Sequence, residues 1–367
     1  MNQGPSRRDF LRGRLFVGGR DRPDEHDPPA ALNPSEPLSG DLPRGDQDQP
    51  YFLKVKRAAM AGEFEVRLNM GQYEGATEAA LEALAGIDLL EERLSFFDPA
   101  SEISRINREA ANGPVAVDSD TFALLVQSQA IHESTDGAFD ITATPLWEIW
   151  GFARREARVP DDQEIARAMR TVGGGLVRLD RQAETVEFLK PGVQINLGGI
   201  GKGYAIERCA ESLKNAGVHD MLIHGAASSI LARGTQAGRS KGWSVGVAHP
   251  IRQGRRIAEI QLDDQSLATS GGRHQSMVHS GRRLSHVIDP RTGRPAEGVY
   301  SVTVVTGDAA QADALATAMF VLGADASLAF CKRHPEVSVL LLLPSTTRSR
   351  ELDVVYAGFA GGSLHVL

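Results

Sequence analysis

Between Met221 and Tyr356 the chain repeatedly places four to seven apolar or β-branched residues between turn residues. Such runs stand at Met221–His224, Ile230–Arg233, Trp243–Val247, Ile257–Leu262, Ser301–Val305, Val337–Leu343 and Leu352–Tyr356. They are too short for helices of ordinary length and read as strands. Most are linked by hairpins, and helical segments are interspersed rather than alternating strictly with them. That arrangement selects an α+β architecture, with a mostly antiparallel sheet and flanking helices, over a doubly wound parallel sheet.

The rest of the chain supplies the helices. Thr77 to Leu94 carries Leu84, Ile87, Leu90 and Leu94 near helical spacing, and Asp118 to Glu133 begins at a residue suited to capping. Asp161 to Arg170 reads as a short exposed helix. Lys202 to Asn215 is stopped by Gly217, and 309–322 and 324–333 form a helical pair divided at Gly323. Phe64–Leu68, Leu176–Leu179 and Thr185–Phe188 add strands. Residues 20–50 are rich in Pro, Asp and Gly, so 1–50 reads as a disordered leader and 51–367 as one ordered domain.

Composition narrows the function. The 367 residues carry a net charge of −7, which leaves no electrostatic footprint for nucleic acid. Cys209 and Cys331 are the two cysteines, too few for a disulfide framework or a thiolate metal site. No apolar run is expected to span a bilayer. Ser6-Arg7-Arg8-Asp9-Phe10-Leu11 is similar to a twin-arginine export signal, but Arg12 and Arg14 interrupt the apolar region such a signal needs. Cytoplasmic residence is therefore the expectation, with export to the periplasm as the alternative. A reporter fused to residues 1–50 separates the two.

Four segments carry candidate chemistry. Asp313 and Thr317 stand four residues apart on a helix, so both face one way. A carboxylate with a hydroxyl suits a hard cation such as magnesium or calcium. Leu197-Gly198-Gly199-Ile200-Gly201-Lys202-Gly203-Tyr204 is a glycine cluster opening a helix, either a tight turn or a phosphate cradle with Lys202 adding charge. It lacks the spacing of a P-loop. Thr135–Thr142 holds Asp140, a carboxylate able to accept from a ring N–H or a ribose, ahead of an aromatic segment with Trp147 and Trp150. Ser285–Gly293 puts His286 three residues before Asp289, either as an acid/base pair or as a turn beside an exposed histidine. The nucleophile-elbow, zinc-protease and CxxC patterns are absent from the sequence.

In order and spacing, these segments resemble the FAD:protein FMN transferase (ApbE) family. Met60-Ala61-Gly62, Phe97 to Asn107, Thr135 to Phe152, Asn196 to Tyr204, Ala268-Thr269-Ser270-Gly271, Ser285 to Gly293 and Ala312 to Ala318 carry the resemblance. It implies a T-fold-like α+β domain and Mg²⁺-dependent transfer of FMN from FAD to a Thr or Ser hydroxyl of a target flavoprotein, with AMP released. Hydrolysis of FAD to FMN and AMP, or FAD binding without catalysis, are the alternatives. By motif match, the Gly199 carbonyl, Asp313 and Thr317 fall at metal-ligand positions. Met60, Phe97, Ala138, Phe139, Asp140, Asn196, Lys202 and Ile288 fall at FAD-contact positions. His286 and Asp289 fall at the catalytic ones.

The chain departs from the family pattern at several points. Phe97 stands where Tyr is common, and Asn196 where Asp is favoured. Met60-Ala61-Gly62 replaces Met-Gly-Thr, Gly225-Ala226-Ala227-Ser228-Ser229 replaces a Gly-Gly-Asp-type segment, and Gly272-Arg273-His274 replaces an aromatic-containing stretch.

Overall fold

Phe52–Ala59 (β1) and Gly62–Asn69 (β2) pair as an antiparallel hairpin in full register. The computed structural model describes residues 51–152, 158–226, 228–271, 276–279, 282–345 and 352–367. The twin-arginine-like leader, Ala227 and Gly272-Arg273-His274 lie outside them.

After the hairpin come helices Ala76–Leu94 (α1) and Glu102–Glu109 (α2), strand Val115–Ala116 (β3) and helix Ser119–Ser134 (α3), which Asp118 caps. Helices Thr144–Ile149 (α4) and Asp162–Ala168 (α5) precede strands Val177–Asp180 (β4) and Thr185–Phe188 (β5). Helix Gly201–Asn215 (α6) is followed by Met221–Gly225 (β6), Ser229–Arg233 (β7), Trp243–Ala248 (β8), Arg256–Leu262 (β9) and Ser266–Gly271 (β10). Three short hairpin strands lead on: Ser276–His279 (β11), Arg282–Ser285 (β12) and Ile288–Asp289 (β13), which pairs with Arg294–Pro295 (β14). The chain closes with Ser301–Thr306 (β15), Ala309–Arg333 (α7), Ser338–Pro344 (β16), Leu352–Ala357 (β17) and Leu364–Val366 (β18).

Eight strands form one sheet in the order β1-β2-β6-β7-β10-β15-β16-β17, and every pairing among the described residues is antiparallel. The pleat sends alternate side chains to opposite faces. In β16, Val339 and Leu341 join the core under α1, α6 and α7. Leu340 and Leu342 join a second core beneath the three-stranded sheet β18-β9-β8, with Trp243 and Ile260. The central strands are thus covered on both sides, which explains why their sequence is continuously apolar rather than alternating.

Helix α7 bears on the expectation that no apolar run spans a bilayer. It is long and apolar enough, with a mean hydropathy of 1.7 over its best window, to cross a membrane by composition alone. Its apolarity has another cause here. Ala312, Ala314, Leu315, Ala316, Ala318 and Met319 are all buried between the sheet, α3 and α6. A helix enclosed on most sides is apolar most of the way round. Gly323, with φ 75° and ψ −172°, interrupts it at the point where the sequence divides the pair. Cys209 and Cys331 are buried free thiols, and burial pushes Cys209 up to about 12.

Strand β10, helices α2 and α4, and the β1 half of the first hairpin escape the periodicity reading. Each is short or mixes polar residues into its apolar face. Ser266–Gly271 carries three small polar residues, Ser266, Thr269 and Ser270, beside Leu267 and Ala268.

Candidate active site

Asp313 lies one turn into α7, but its role there is not to cap that helix. Asp308 does so, accepting from the Gln311 amide at 2.6 Å. Asp313 is 6% exposed and caps a different helix. Its Oδ2 accepts from the Gly203 amide at 3.1 Å, in the first turn of α6, and from Lys202 Nζ at 3.2 Å. Its Oδ1 accepts from Ser229 Oγ at 3.1 Å. The first turn of α6 has no side-chain cap of its own. Its exposed amides and the positive end of the helix dipole offset the cost of burying a carboxylate.

Close helix approach makes this possible, and it requires Gly203. A Cβ there would come within 2.0 Å of the Ala309 carbonyl oxygen. Only a hydrogen fits where the starts of α6 and α7 meet.

Thr317 sits one turn beyond Asp313. Its Oγ1 is 3.3 Å from Ser270 Oγ and 3.4 Å from the Asp313 carbonyl. Gly199 comes to the same place from the turn before α6. A Cβ on it would lie 3.9 Å from Thr317 Oγ1 and 3.1 Å from the Phe139 ring. The three residues matched to metal positions therefore converge. They offer a carboxylate, a hydroxyl and a carbonyl, an oxygen set that fits a hard divalent cation. Among the described residues no cluster of three or more His, Cys, Asp or Glu is placed to bind a metal, so a soft-metal site has no support here.

Lys202 bridges the corner to the glycine turn, donating to the Gly198 carbonyl at 3.3 Å as well as to Asp313. Asn196 closes that turn, its Oδ1 accepting from the Gly198 amide at 2.9 Å. An uncharged side chain performs this local task as well as Asp would. The Asn196 amide donates to the Ile141 carbonyl at 2.8 Å. Asn107 of α2 clamps the preceding residue, exchanging bonds of 3.0 and 2.8 Å with the Ile195 backbone. Phe97, 46% exposed and edge-on to Phe96, lies just before this helix.

The Asp140 carboxylate is consumed inside the protein. Oδ1 accepts from the Thr142 amide at 2.7 Å and its hydroxyl at 2.6 Å, and Oδ2 accepts from the Gly174 amide at 3.0 Å. His132 Nδ1 stands 3.3 Å from Oδ2 and 3.0 Å from the Phe139 carbonyl. The expected bond to a ring or ribose is thus replaced by a loop-fixing role. Asp140 places buried Ala138 and Phe139, whose ring packs on Gly199.

Met60 occupies the two-residue turn of the first hairpin. Met60 and Ala61 both have positive φ, 44° and 63°, a conformation that favours Asn or Gly. The Met60 amide donates to Glu91 Oε2 at 2.6 Å. A Cβ on Gly62 would fall 2.3 Å from that of Ala226, itself at φ 50°. Two strained turns therefore abut at the sheet end that carries Ser229.

Ile288 is buried with Leu146, Trp150 and Ile165. Trp150 Nε1 donates to the Gly293 carbonyl at 2.8 Å, which ties the tryptophan segment to the 289–293 turn. That turn is real: the Gly293 and Thr292 amides both point to the Asp289 carbonyl. The Asp289 carboxylate is gripped by Arg291, whose Nε and Nη2 each donate at 2.9 Å. This fork raises the Arg291 pKa further. His286 is half-buried two residues before Ile288. Arg291 Cγ would lie 3.6 Å from a Cβ on Gly137, so the turn rests on the same loop that presents Phe139.

Sequence reading did not single out Ser229, Ser270 or Gly203 as site residues. Ser229 and Ser270 sit at the edges of short strands, and only the pairing of β7 with β10 shows that they share a face.

Residues 60–341 match the model of the ApbE family. A FAD:protein FMN transferase of Vibrio cholerae is 31% identical over 271 residues, covering 72% of this chain and 79% of the relative. One from Haemophilus influenzae is 27% identical over 81% of this chain and 88% of its own length. The crystal structure of the ApbE protein from Thermotoga maritima superposes with a TM-score of 0.72 at 31% identity, covering 80% of this chain and 94% of that one. The flavin transferase ApbE of Vibrio cholerae, at 24% identity, shares the fold with a TM-score of 0.73 over 84% and 98% of the two chains. With its oxygen-rich corner, glycine turn and Asp289 turn in the family's order, this chain belongs to the ApbE family.

Proposed function

We propose that the protein transfers FMN from FAD to a Thr or Ser hydroxyl of a target flavoprotein, with Mg²⁺ at the Gly199–Asp313–Thr317 corner. The observation that carries this reading is that Gly199, Asp313 and Thr317 are brought together where the starts of α6 and α7 meet. The names of the curated relatives support the reaction class. A bound divalent cation would offset charge on the pyrophosphate oxygens.

The chain's own residues do the rest. Lys202, in the 198–203 turn, supplies positive charge that stabilises negative charge developing on the phosphates. The acceptor hydroxyl oxygen bonds to the FMN phosphorus as the pyrophosphate P–O bond breaks. AMP leaves with the bridging oxygen, and the hydroxyl proton passes to a base. Asp289, with both oxygens held by Arg291, has little freedom to take that proton and is better suited to orienting the loop. His286 is therefore the base we favour. Phe97 offers an exposed ring for stacking on the flavin.

The deciding assay follows AMP release and covalent flavin fluorescence, with and without Mg²⁺ and an acceptor flavoprotein. Transfer predicts Mg²⁺-dependent AMP release coupled to a fluorescent acceptor. Free FMN and AMP without labelling would replace this reading with FAD hydrolysis. Tight FAD binding without AMP would leave a flavin-binding protein.

A further inference from the structure

Asp313 and Thr317 do not hold their geometry unaided. Each is gripped from below by a serine of the central sheet. Ser229, at the start of β7, is fully buried and donates to Asp313 Oδ1 at 3.1 Å. Ser270, near the end of β10, lies 3.3 Å from Thr317 Oγ1. The two strands are neighbours, with Ser229 opposite Ala268. Side chains of residues 268 and 270 share a face of the pleat, so both serines look toward α7. The serines are one step apart along the sheet, and the residues they hold are one turn apart along the helix.

The hydrogen-bond directions differ between the two oxygens of Asp313. Oδ2 already accepts from Lys202 and from the Gly203 amide. Among the described residues Oδ1 has a single donor, Ser229, which leaves it an open lone pair. Oδ1 is therefore the oxygen left to meet a cation, and Ser229 sets its direction. Thr317 has a parallel need. A hydroxyl binds a cation through a lone pair, so its proton must go elsewhere. Its bond to the Asp313 carbonyl is long at 3.4 Å, and Ser270 stands at 3.3 Å as an alternative acceptor.

We infer that Ser229 and Ser270 are positioning residues for the divalent cation, fixing Asp313 Oδ1 and the Thr317 lone pair through hydroxyl bonds from the sheet. This rests on the cation reading proposed above and adds what holds the ligands. In this chain the support of Asp313 from the sheet is a neutral hydroxyl, that of Ser229. Outer partners of metal ligands commonly contribute about 10- to 100-fold in affinity.

The test is Mn²⁺ binding to the flavin-free protein, read by electron paramagnetic resonance alongside thermal melting without metal. Ser229→Ala and Ser270→Ala should each weaken Mn²⁺ binding about tenfold or more. Ser229→Thr, which keeps the hydroxyl, should restore most of it. Ser266→Ala removes another fully buried serine of β10, one whose hydroxyl bonds to neither ligand, and should leave Mn²⁺ affinity unchanged. A purely structural role would lower the melting temperature of Ser229→Ala and Ser270→Ala and leave their Mn²⁺ affinities equal to wild type. That result overturns the inference while the cation reading stands. Wild-type protein that binds no Mn²⁺ overturns both.

Discussion

Asp313 and Asp289 are both carboxylates in the candidate site, and they are held in opposite ways. Asp289 is gripped by Arg291, two residues along, inside a turn that the local sequence builds by itself. Asp313 is gripped by Ser229, Gly203 and Lys202, which lie 84, 110 and 111 residues away. The first is a local motif resting on the Thr135–Asp140 loop. The second is a junction of two helices and the central sheet, fixed by the main core. A position suited to holding a cation with defined geometry belongs on rigid elements, whereas a group that orients a loop can sit on a turn.

The contrast predicts a graded response to substitution. Asp313→Ala should have the largest effect. Loss of the cation ligand should lower kcat/KM for AMP release on the order of 1,000-fold. The Ser229 hydroxyl and Gly203 amide left unpaired should also cost about 1–3 kcal/mol in denaturant unfolding. Near wild-type turnover would remove Asp313 from the site and erase the distinction. Gly203→Ala comes next. Its Cβ cannot coexist with the Ala309 carbonyl 2.0 Å away, so α6 must move off α7. We expect about 1–3 kcal/mol of destabilisation from overpacking, with weaker Mn²⁺ binding because the Asp313 cap shifts. Full stability would show that the helix junction is softer than its geometry suggests. Arg291→Ala should be mildest for the fold. The pair is local and its guanidinium is 38% exposed, so stability should change by about 0–1 kcal/mol. The freed Asp289 loop should instead lower transfer to the acceptor protein more than it lowers AMP release. An equal loss of both would place Arg291 in the phosphate chemistry rather than in the acceptor loop.

Much of the site was legible because its parts are local. The Asp313–Thr317 spacing, the glycine turn before Lys202 and the Asp289–Gly293 turn each follow from neighbours within four residues. Asp140 misled because its residue type suits a ligand contact. Only the folded loop shows that Thr142, Gly174 and His132 occupy its oxygens. Helix α7 shows the same dependence on the fold. Its hydropathy matches a membrane span, and only its enclosure by sheet and helices explains that composition.

The sequence by itself determined the short strands, the helices with their stops, and the chemical inventory of the site, since propensity, capping and turn formation act over a few residues. It did not determine which serines would lie under Asp313 and Thr317, or that Asp313 would cap α6 rather than its own helix. Those contacts depend on strand order and on the close approach of α6 and α7. They form only when apolar burial on both faces of the sheet brings together segments about a hundred residues apart.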